Sequence, residues 1–108
     1  MALALNVFKT VTANITTVNT PVYTAPFSYT GIVLMAQITN VTSSPANVTL
    51  IYSSNNTELL KDFTIPGNDA AAALTGKLII ETGESISISA SANSALKITA
   101  SILESANE

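Results

Sequence analysis

The chain has 108 residues, of which 47% are hydrophobic and only 10% are charged, and its formal net charge is −3. This length suits one domain with one core, and the charged share is less than half of the roughly 25% that is usual. The four basic residues, all lysines, are widely separated at positions 9, 61, 77 and 97, so we expect no binding to nucleic acid.

The first fifteen residues are predicted to form an N-terminal strand or an extended arm. Apolar residues and threonines are interspersed from Leu5 to Ile15. The apolar start lacks a positively charged region and has only a short apolar run before Asn6, so we expect no secretory signal. No segment approaches the ~20 apolar residues of a membrane span, so we expect a protein that is made in the cytoplasm and does not contact membranes.

In the middle of the chain, alternating apolar and polar residues predict a hairpin of two strands. Residues 34–39 alternate, residues 40–46 interrupt the pattern with Ser43-Ser44-Pro45, and the alternation resumes at residues 48–52. Residues 59–65 predict a third strand in series. The alanine-rich residues 70–74 fit either a helical turn or an extended segment, and we favour the extended one.

The clearest alternation lies near the C-terminus and predicts a second hairpin. Serines alternate with isoleucine or alanine over residues 85–92, and a second alternating run covers residues 96–102. Between them, Asn93-Ser94 is a candidate two-residue turn. Residues 77–81 are predicted as a short strand that a turn at residues 82–84 connects to the first of these runs.

Together these elements predict an all-β protein. Seven to nine short strands, with turn signals about every ten residues, are typical of a single small antiparallel β-sandwich or a jelly-roll-like barrel. We place this domain at residues 16–104, after an N-terminal strand or arm at residues 1–15 and before a short C-terminal tail at residues 105–108.

Catalytic and metal-binding chemistry has little support in the sequence. The chain contains neither histidine nor cysteine, the residues that most often serve as general base, metal ligand or thiol nucleophile. Glu81 and Glu84 flank a predicted turn, but two carboxylates fall short of the six to eight oxygen ligands that Ca²⁺ takes. We therefore expect no enzymatic activity, no cofactor and no metal site.

Four N-x-T sequences occur, at Asn14, Asn40, Asn47 and Asn55. Asparagine and threonine are abundant, with 10 and 15 residues, so chance matches to this pattern are expected. We interpret the four sequences as a consequence of composition rather than as glycosylation sites.

The surface composition favours binding to other protein subunits. Thr, Ser and Asn make up 37 of the 108 residues, so the surface is polar but weakly charged and costs little to desolvate. Natural monomers often protect sheet edges with lysine, and only four are present. The three tyrosines fit either a platform on which sugars or bases stack, or a core edge or subunit contact, and we favour the second. The candidate contact residues are Leu3, Leu5, Val7, Phe8, Val11, Phe27 and Tyr29.

Several segments resemble small β-sandwich virion structural proteins of tailed bacteriophages, over about residues 20–104. The most specific part is GKLIIETGESISI at residues 76–88. In these virion proteins a glycine-rich tight turn commonly follows the proline, whereas here residues 27–30 intervene between Pro26 and Gly31. We expect this loop to contact a different partner. The other segments that carry the resemblance are VYTAP (22–26), GIVL (31–34), QITN (37–40) and SILE (101–104).

The resemblance implies a virion component present in many copies. The first expectation is a capsid decoration (cement) protein on the outer surface of the capsid, which binds the major capsid protein as a symmetric homo-oligomer, with a trimer favoured. The arm at residues 3–15 would then be the strand donated to a neighbour. Alternatives are a tail, neck or fibre subunit of the phage and, from another class, a carbohydrate-binding module.

Overall fold

The computed structural model describes residues 6–107, which form nine strands in two antiparallel sheets packed face to face. Within these residues there is no α-helix, and so no helix that is long and apolar enough to cross a membrane. The prediction of a small antiparallel β-sandwich is confirmed. The strands are β1 (Asn6–Ile15), β2 (Thr20–Thr24), β3 (Tyr29–Asn40), β4 (Ala46–Tyr52), β5 (Thr57–Ile65), β6 (Ala70–Ala72), β7 (Leu78–Ile80), β8 (Ser85–Ala90) and β9 (Leu96–Ala106).

Each sheet mixes strands from distant parts of the chain. Sheet A has the order β1-β9-β3, and the short strands β6 and β7 both pair with the other side of β3. Sheet B has the order β2-β8-β4-β5. Among the described strands, β4 and β5 are the one consecutive pair that is also hydrogen-bonded, because most connections cross from one sheet to the other.

Both predicted hairpins are wrong, although their strands exist. β3 and β4 lie in different sheets, and so do β8 and β9. Alternation shows that a strand has one buried face, but a strand beside it and a strand across the core produce the same pattern. Ile88 of β8 and Ile98 of β9 are both fully buried from opposite sheets, so this connection turns a corner of the sandwich.

The first and the last described strands, β1 and β9, lie side by side in sheet A. Residues 6–15 form β1, which pairs with β9 in ten consecutive positions, from Asn6 opposite Ser105 to Ile15 opposite Leu96. β9 continues to Ala106, so the first two residues of the C-terminal tail belong to this strand. The alanine-rich segment is extended, as favoured, and forms β6 against residues 37–39.

Branched aliphatic side chains fill the space between the sheets. Burying one such side chain contributes about 1.5–3 kcal/mol, and packing must hold the fold because the chain has no cysteine to form disulfides. The large side chains that are fully buried include Ile15, Val33, Ile38, Val48, Leu50, Ile65, Ile80, Ile86, Leu96, Ile98 and Ile102.

Candidate interaction surface

A buried polar link joins the two sheets near the C-terminal end of β9. The hydroxyl of Tyr23, on β2 in sheet B, donates a hydrogen bond of 2.7 Å to Oε2 of Glu104 on β9. Lys9 Nζ, on β1, lies 3.3 Å from the same oxygen. The Glu104 side chain is only 5% exposed, whereas that of Lys9 is 47% exposed. The carboxylate is therefore paired with a charge and a hydroxyl, as burial requires.

Gly31 provides the space that this link needs. It is paired with Glu104 across the β3–β9 ladder. A Cβ atom at this position would lie 2.6 Å from Cε2 and 2.8 Å from the hydroxyl oxygen of Tyr23. The tyrosine ring therefore packs directly on the backbone of β3, where only glycine leaves room for it.

Because of the Tyr23 hydroxyl, we expect the stability of the protein to depend on pH in the alkaline range. Burial, and then the hydrogen bond to the Glu104 carboxylate and its negative charge, raise the pKa of Tyr23 well above its usual value. In the unfolded chain the tyrosine hydroxyl loses its proton at about pH 10, whereas in the folded protein the Tyr23 hydroxyl keeps its proton at this pH. The contribution of the Tyr23 hydroxyl to the free energy of unfolding is therefore complete below about pH 10. Above this pH the contribution decreases, by up to about 1.4 kcal/mol per pH unit.

Urea unfolding of the wild type and of Tyr23→Phe between about pH 8 and pH 12 measures this contribution. We expect the stability difference between the two proteins to shrink as the pH rises past about 10. Tyr52→Phe is the matched control, because it also removes one tyrosine hydroxyl. The Tyr52 hydroxyl accepts a hydrogen bond from the Glu81 backbone amide at 3.3 Å, whereas the Tyr23 hydroxyl donates one to a carboxylate. A constant difference between wild type and Tyr23→Phe over this range would show that folding does not protect the Tyr23 proton.

The outer face of sheet A carries a row of apolar side chains that crosses four strands. Phe8 on β1 pairs with Leu103 on β9, Leu103 pairs with Ile32 on β3, and Ile32 pairs with Ile79 on β7. Phe8 is 75% exposed and Ile79 is 59% exposed, while the two central residues are partly covered. Successive residues on a strand point to opposite faces, so the buried neighbours of this row face the core and the row itself faces outward.

A β-bulge in β3 widens the row. The register shifts between Val33 and Met35, opposite Ser101, and leaves Leu34 and Met35 both exposed. Leu34 and Phe8 line the same surface depression. We call these six residues the apolar outer patch. They are Phe8, Ile32, Leu34, Met35, Ile79 and Leu103.

The structure separates the contact residues that the sequence suggested. Phe8 belongs to the apolar outer patch, whereas Val7 and Val11 are partly buried on the inner face of β1. Phe27 is 89% exposed in the turn after β2, and Tyr29 is partly buried at the start of β3. Leu3 and Leu5 lie outside the described residues.

Five patch residues were missed by sequence reasoning. For four of them the signal was present as uninterrupted apolar runs at residues 32–36 and 78–80, where both faces of a strand are apolar. Leu34 falls in the same alternating run as Ala36 and Ile38, which are buried, but Leu34 itself is exposed. The bulge shifts the phase of the alternation and buries Val33 instead.

The acidic pair considered for metal binding closes a turn. The Glu84 amide donates to the Glu81 carbonyl at 2.9 Å, with Gly83 at a φ of 84° between them. The Glu84 carboxylate accepts a hydrogen bond from the Ser53 hydroxyl. Residues 6–107 contain no group of three or more acidic side chains that could hold a metal ion.

The exposed phenylalanines do not share one strand or loop. Phe8 lies on β1 in sheet A, Phe27 lies in the turn after β2, and Phe63 lies on β5 in sheet B. Tyr23 is buried between the sheets. Of the exposed phenylalanines, only Phe8 belongs to the row across sheet A, and the other members of this row are aliphatic.

Comparison with known proteins supports the fold and leaves the function open. No protein-family model and no curated protein matches the chain. Among solved structures, the chain is similar to one from the Bacillus endospore appendages, described as a family of disulfide-linked pili, with a TM-score of 0.54 and 9% sequence identity. The similarity covers 100% of this chain and 97% of that chain, so the two share a fold over nearly all of both chains.

Proposed function

We propose that the protein is a non-enzymatic structural subunit that binds other protein subunits through the apolar outer patch of sheet A. The observation that carries this proposal is the row from Phe8 to Ile79, which crosses the whole sheet and keeps its two ends exposed. Contiguous exposed apolar residues on a small domain typically mark an interaction site. The core of an interface is depleted in charge, and this row contains no charged residue.

The assembly that we propose is the virion of a tailed bacteriophage, with the protein on the outer surface of the capsid. This choice rests on the resemblance of residues 20–104 to small β-sandwich virion proteins. The apolar outer patch would bind the major capsid protein, and each bound copy would add buried apolar area that holds neighbouring capsid subunits together. A symmetric oligomer suits this role because it repeats the same contact on a symmetric lattice.

A second candidate is a subunit of a filament or of the phage tail, neck or fibre. The fold shared with a pilus chain favours this candidate, since the same sandwich is used there in a filament. That pilus family is described as disulfide-linked. This chain has no cysteine, so its copies in a filament would not be linked by disulfides.

The number of copies per particle distinguishes these assemblies. Particles from the producing culture are separated on a density gradient, and the protein is quantified in each fraction. Capsid decoration predicts hundreds of copies that travel with the capsid, whereas a tail or neck position predicts about a dozen. Sedimentation with filaments would replace the virion by the second candidate, and absence from every particle fraction would overturn both.

A patch variant tests the binding surface itself. Ile79→Lys places a charge in the apolar outer patch, and we expect its binding to particles that lack the protein to weaken at least 10-fold, about 1.4 kcal/mol. Phe63→Lys is the matched control, because Phe63 is an exposed apolar residue, 43% exposed, on the other sheet. Equal binding by Ile79→Lys and the wild type would show that the patch is not the contact surface.

A further inference from the structure

The two sheets have four edges, and three of them carry features that discourage pairing with another strand. β2 is five residues long, contains Pro21 and has a register shift. β5 has two irregular positions in its ladder and carries Glu58, Lys61 and Asp62, with a φ of 46° at Asp62. The edge beyond β3 consists of two separate three-residue strands. Short strands, proline, bulges and charges are the usual defences of a sheet edge.

The fourth edge, the outer side of β1, has only one of these defences, a single charged residue. β1 pairs with β9 over ten consecutive residues without a register shift, contains no proline and has no residue with positive φ. Its one charged residue is Lys9, whose amine lies 3.3 Å from the Glu104 carboxylate on the inner side of the sheet. Among the described residues, no strand pairs with the outer side of β1. A long, regular and nearly neutral edge of this kind is a template for another strand.

We propose that the outer edge of β1 pairs antiparallel with the same edge of a second copy of the chain, about a two-fold axis perpendicular to the sheet. A strand that pairs antiparallel with its own copy forms an isologous interface, which closes after two subunits. The charges allow it, because each copy brings one lysine that is already compensated by Glu104. Thr10 and Thr12 lie exposed along this edge, and threonine pairs across strands are favourable.

The dimer goes beyond the proposed function, since it uses the edge of sheet A whereas the proposed function uses its outer face. The axis is perpendicular to the sheet, so both outer faces point the same way. Phe8 lies on β1, and each apolar outer patch therefore begins at the shared edge. A dimer would present two patches on one surface. Two linked patches bind with a higher apparent affinity to a partner that repeats the same site.

Single cysteines along β1 test this arrangement, because the chain has none of its own. In an antiparallel two-fold pair, one residue lies opposite its own copy. We expect one of Thr10→Cys, Val11→Cys, Thr12→Cys and Ala13→Cys to form an intermolecular disulfide rapidly under mild oxidation, with slower reaction at its neighbours. Thr24→Cys, on the edge strand β2, is the control and should remain monomeric on a non-reducing gel. Equal, slow cross-linking at all five positions would overturn the proposal.

The mass in solution provides an independent test. We expect the wild type to sediment at twice the chain mass of 11.2 kDa. The double variant Thr10→Lys/Thr12→Lys places four lysines on two adjacent strands of the dimer, so we expect its dissociation constant to rise at least 10-fold, and less at high salt. Thr24→Lys/Thr64→Lys adds the same charge to the edges of sheet B and should dimerise as the wild type does.

The outcomes also separate this inference from the proposed function. The two-fold pair is overturned if the wild type is monomeric at high concentration. It is also overturned if the wild type has three times the chain mass, which is the mass of the trimer favoured from the sequence. Unchanged dimerisation of Thr10→Lys/Thr12→Lys does the same. Ile79→Lys should dimerise normally, so a loss of particle binding with an intact dimer concerns the patch alone.

Discussion

Asn40→Ala is expected to lower the free energy of unfolding by about 2–4 kcal/mol, because one buried amide makes four hydrogen bonds. Asn40 is 1% exposed at the end of β3. Its Nδ2 donates to the carbonyl oxygens of Ser44, at 2.8 Å, and Ile65, at 3.0 Å. Its Oδ1 accepts from the amide and the hydroxyl of Thr42, at 2.9 and 2.7 Å. The side chain thus holds the corner between the sheets to the end of β5.

Urea unfolding of Asn40→Ala and of Asn14→Ala measures this effect with a matched control. Both asparagines begin N-x-T sequences, but Asn14 is exposed on β1, so its replacement should change stability by less than about 0.5 kcal/mol. Asn40→Asp should also destabilise, because the carboxylate cannot donate to the two carbonyl groups. If Asn40→Ala and Asn14→Ala had the same free energy of unfolding, the hydrogen bonds of the Asn40 amide would not stabilise the protein as we expect.

Gly31→Ala is expected to destabilise the protein by about 2–4 kcal/mol, although it adds one methyl group. The new Cβ would lie 2.6 Å from Cε2 of Tyr23, so the ring must move. Movement of the ring also lengthens the buried hydrogen bond from Tyr23 to Glu104, which leaves the carboxylate with Lys9 alone. Both the packing of the ring and the polar link between the sheets are therefore affected.

Gly76→Ala is the matched control for this prediction. A Cβ at Gly76 meets no atom within 4 Å, and its φ is not in the positive range, so we expect a change of about 1 kcal/mol or less, in the stabilising direction. In the Tyr23→Ala background, Gly31→Ala should cost less than about 0.5 kcal/mol, because the ring that it displaces is gone. An undiminished cost in that background would locate the clash elsewhere.

Strand positions could be predicted from the sequence because alternation is a local property. The serine and isoleucine pattern of β8 needs one buried and one exposed face, whichever strand lies beside it. The same holds for β4 and β9. β5 has no such alternation. The predicted ranges of all three strands overlap those observed. The choice of an extended conformation for residues 70–72 was also correct, and β3 holds that segment as β6.

Strand partners could not be predicted in this way. β8 and β9 have the composition and spacing of a hairpin, yet they belong to opposite sheets. The link between them is short enough for either arrangement, and the inward faces of both strands can be buried by pairing within one sheet or by packing across the core. Long-range contacts, such as the hydrogen bond from the Ser91 amide to the Asn47 carbonyl, decide between the two.

The position of the candidate surface could not be predicted from the sequence, and binding to other subunits stays a prediction. Low charge and a polar, threonine-rich composition indicated a protein that binds other subunits, and Phe8 was among the residues selected. The other patch residues lie on β3, β7 and β9, which are far apart in the chain, and only the register of sheet A aligns them in one row. A bulge that shifts the phase at Leu34 has no local signal in the alternation pattern.

The sequence by itself determined the fold class of this protein. Its alternating runs require strands, its length allows one sandwich, and its residue types include neither histidine nor cysteine. The tertiary structure alone decided which side chains meet, namely Tyr23 with Glu104 and Lys9, and the six residues of the apolar outer patch. It also decided that β1 forms a long and regular edge of sheet A. The physical reason is that alternation depends on neighbours along the chain, whereas pairing and register depend on the free energy of packing the whole core.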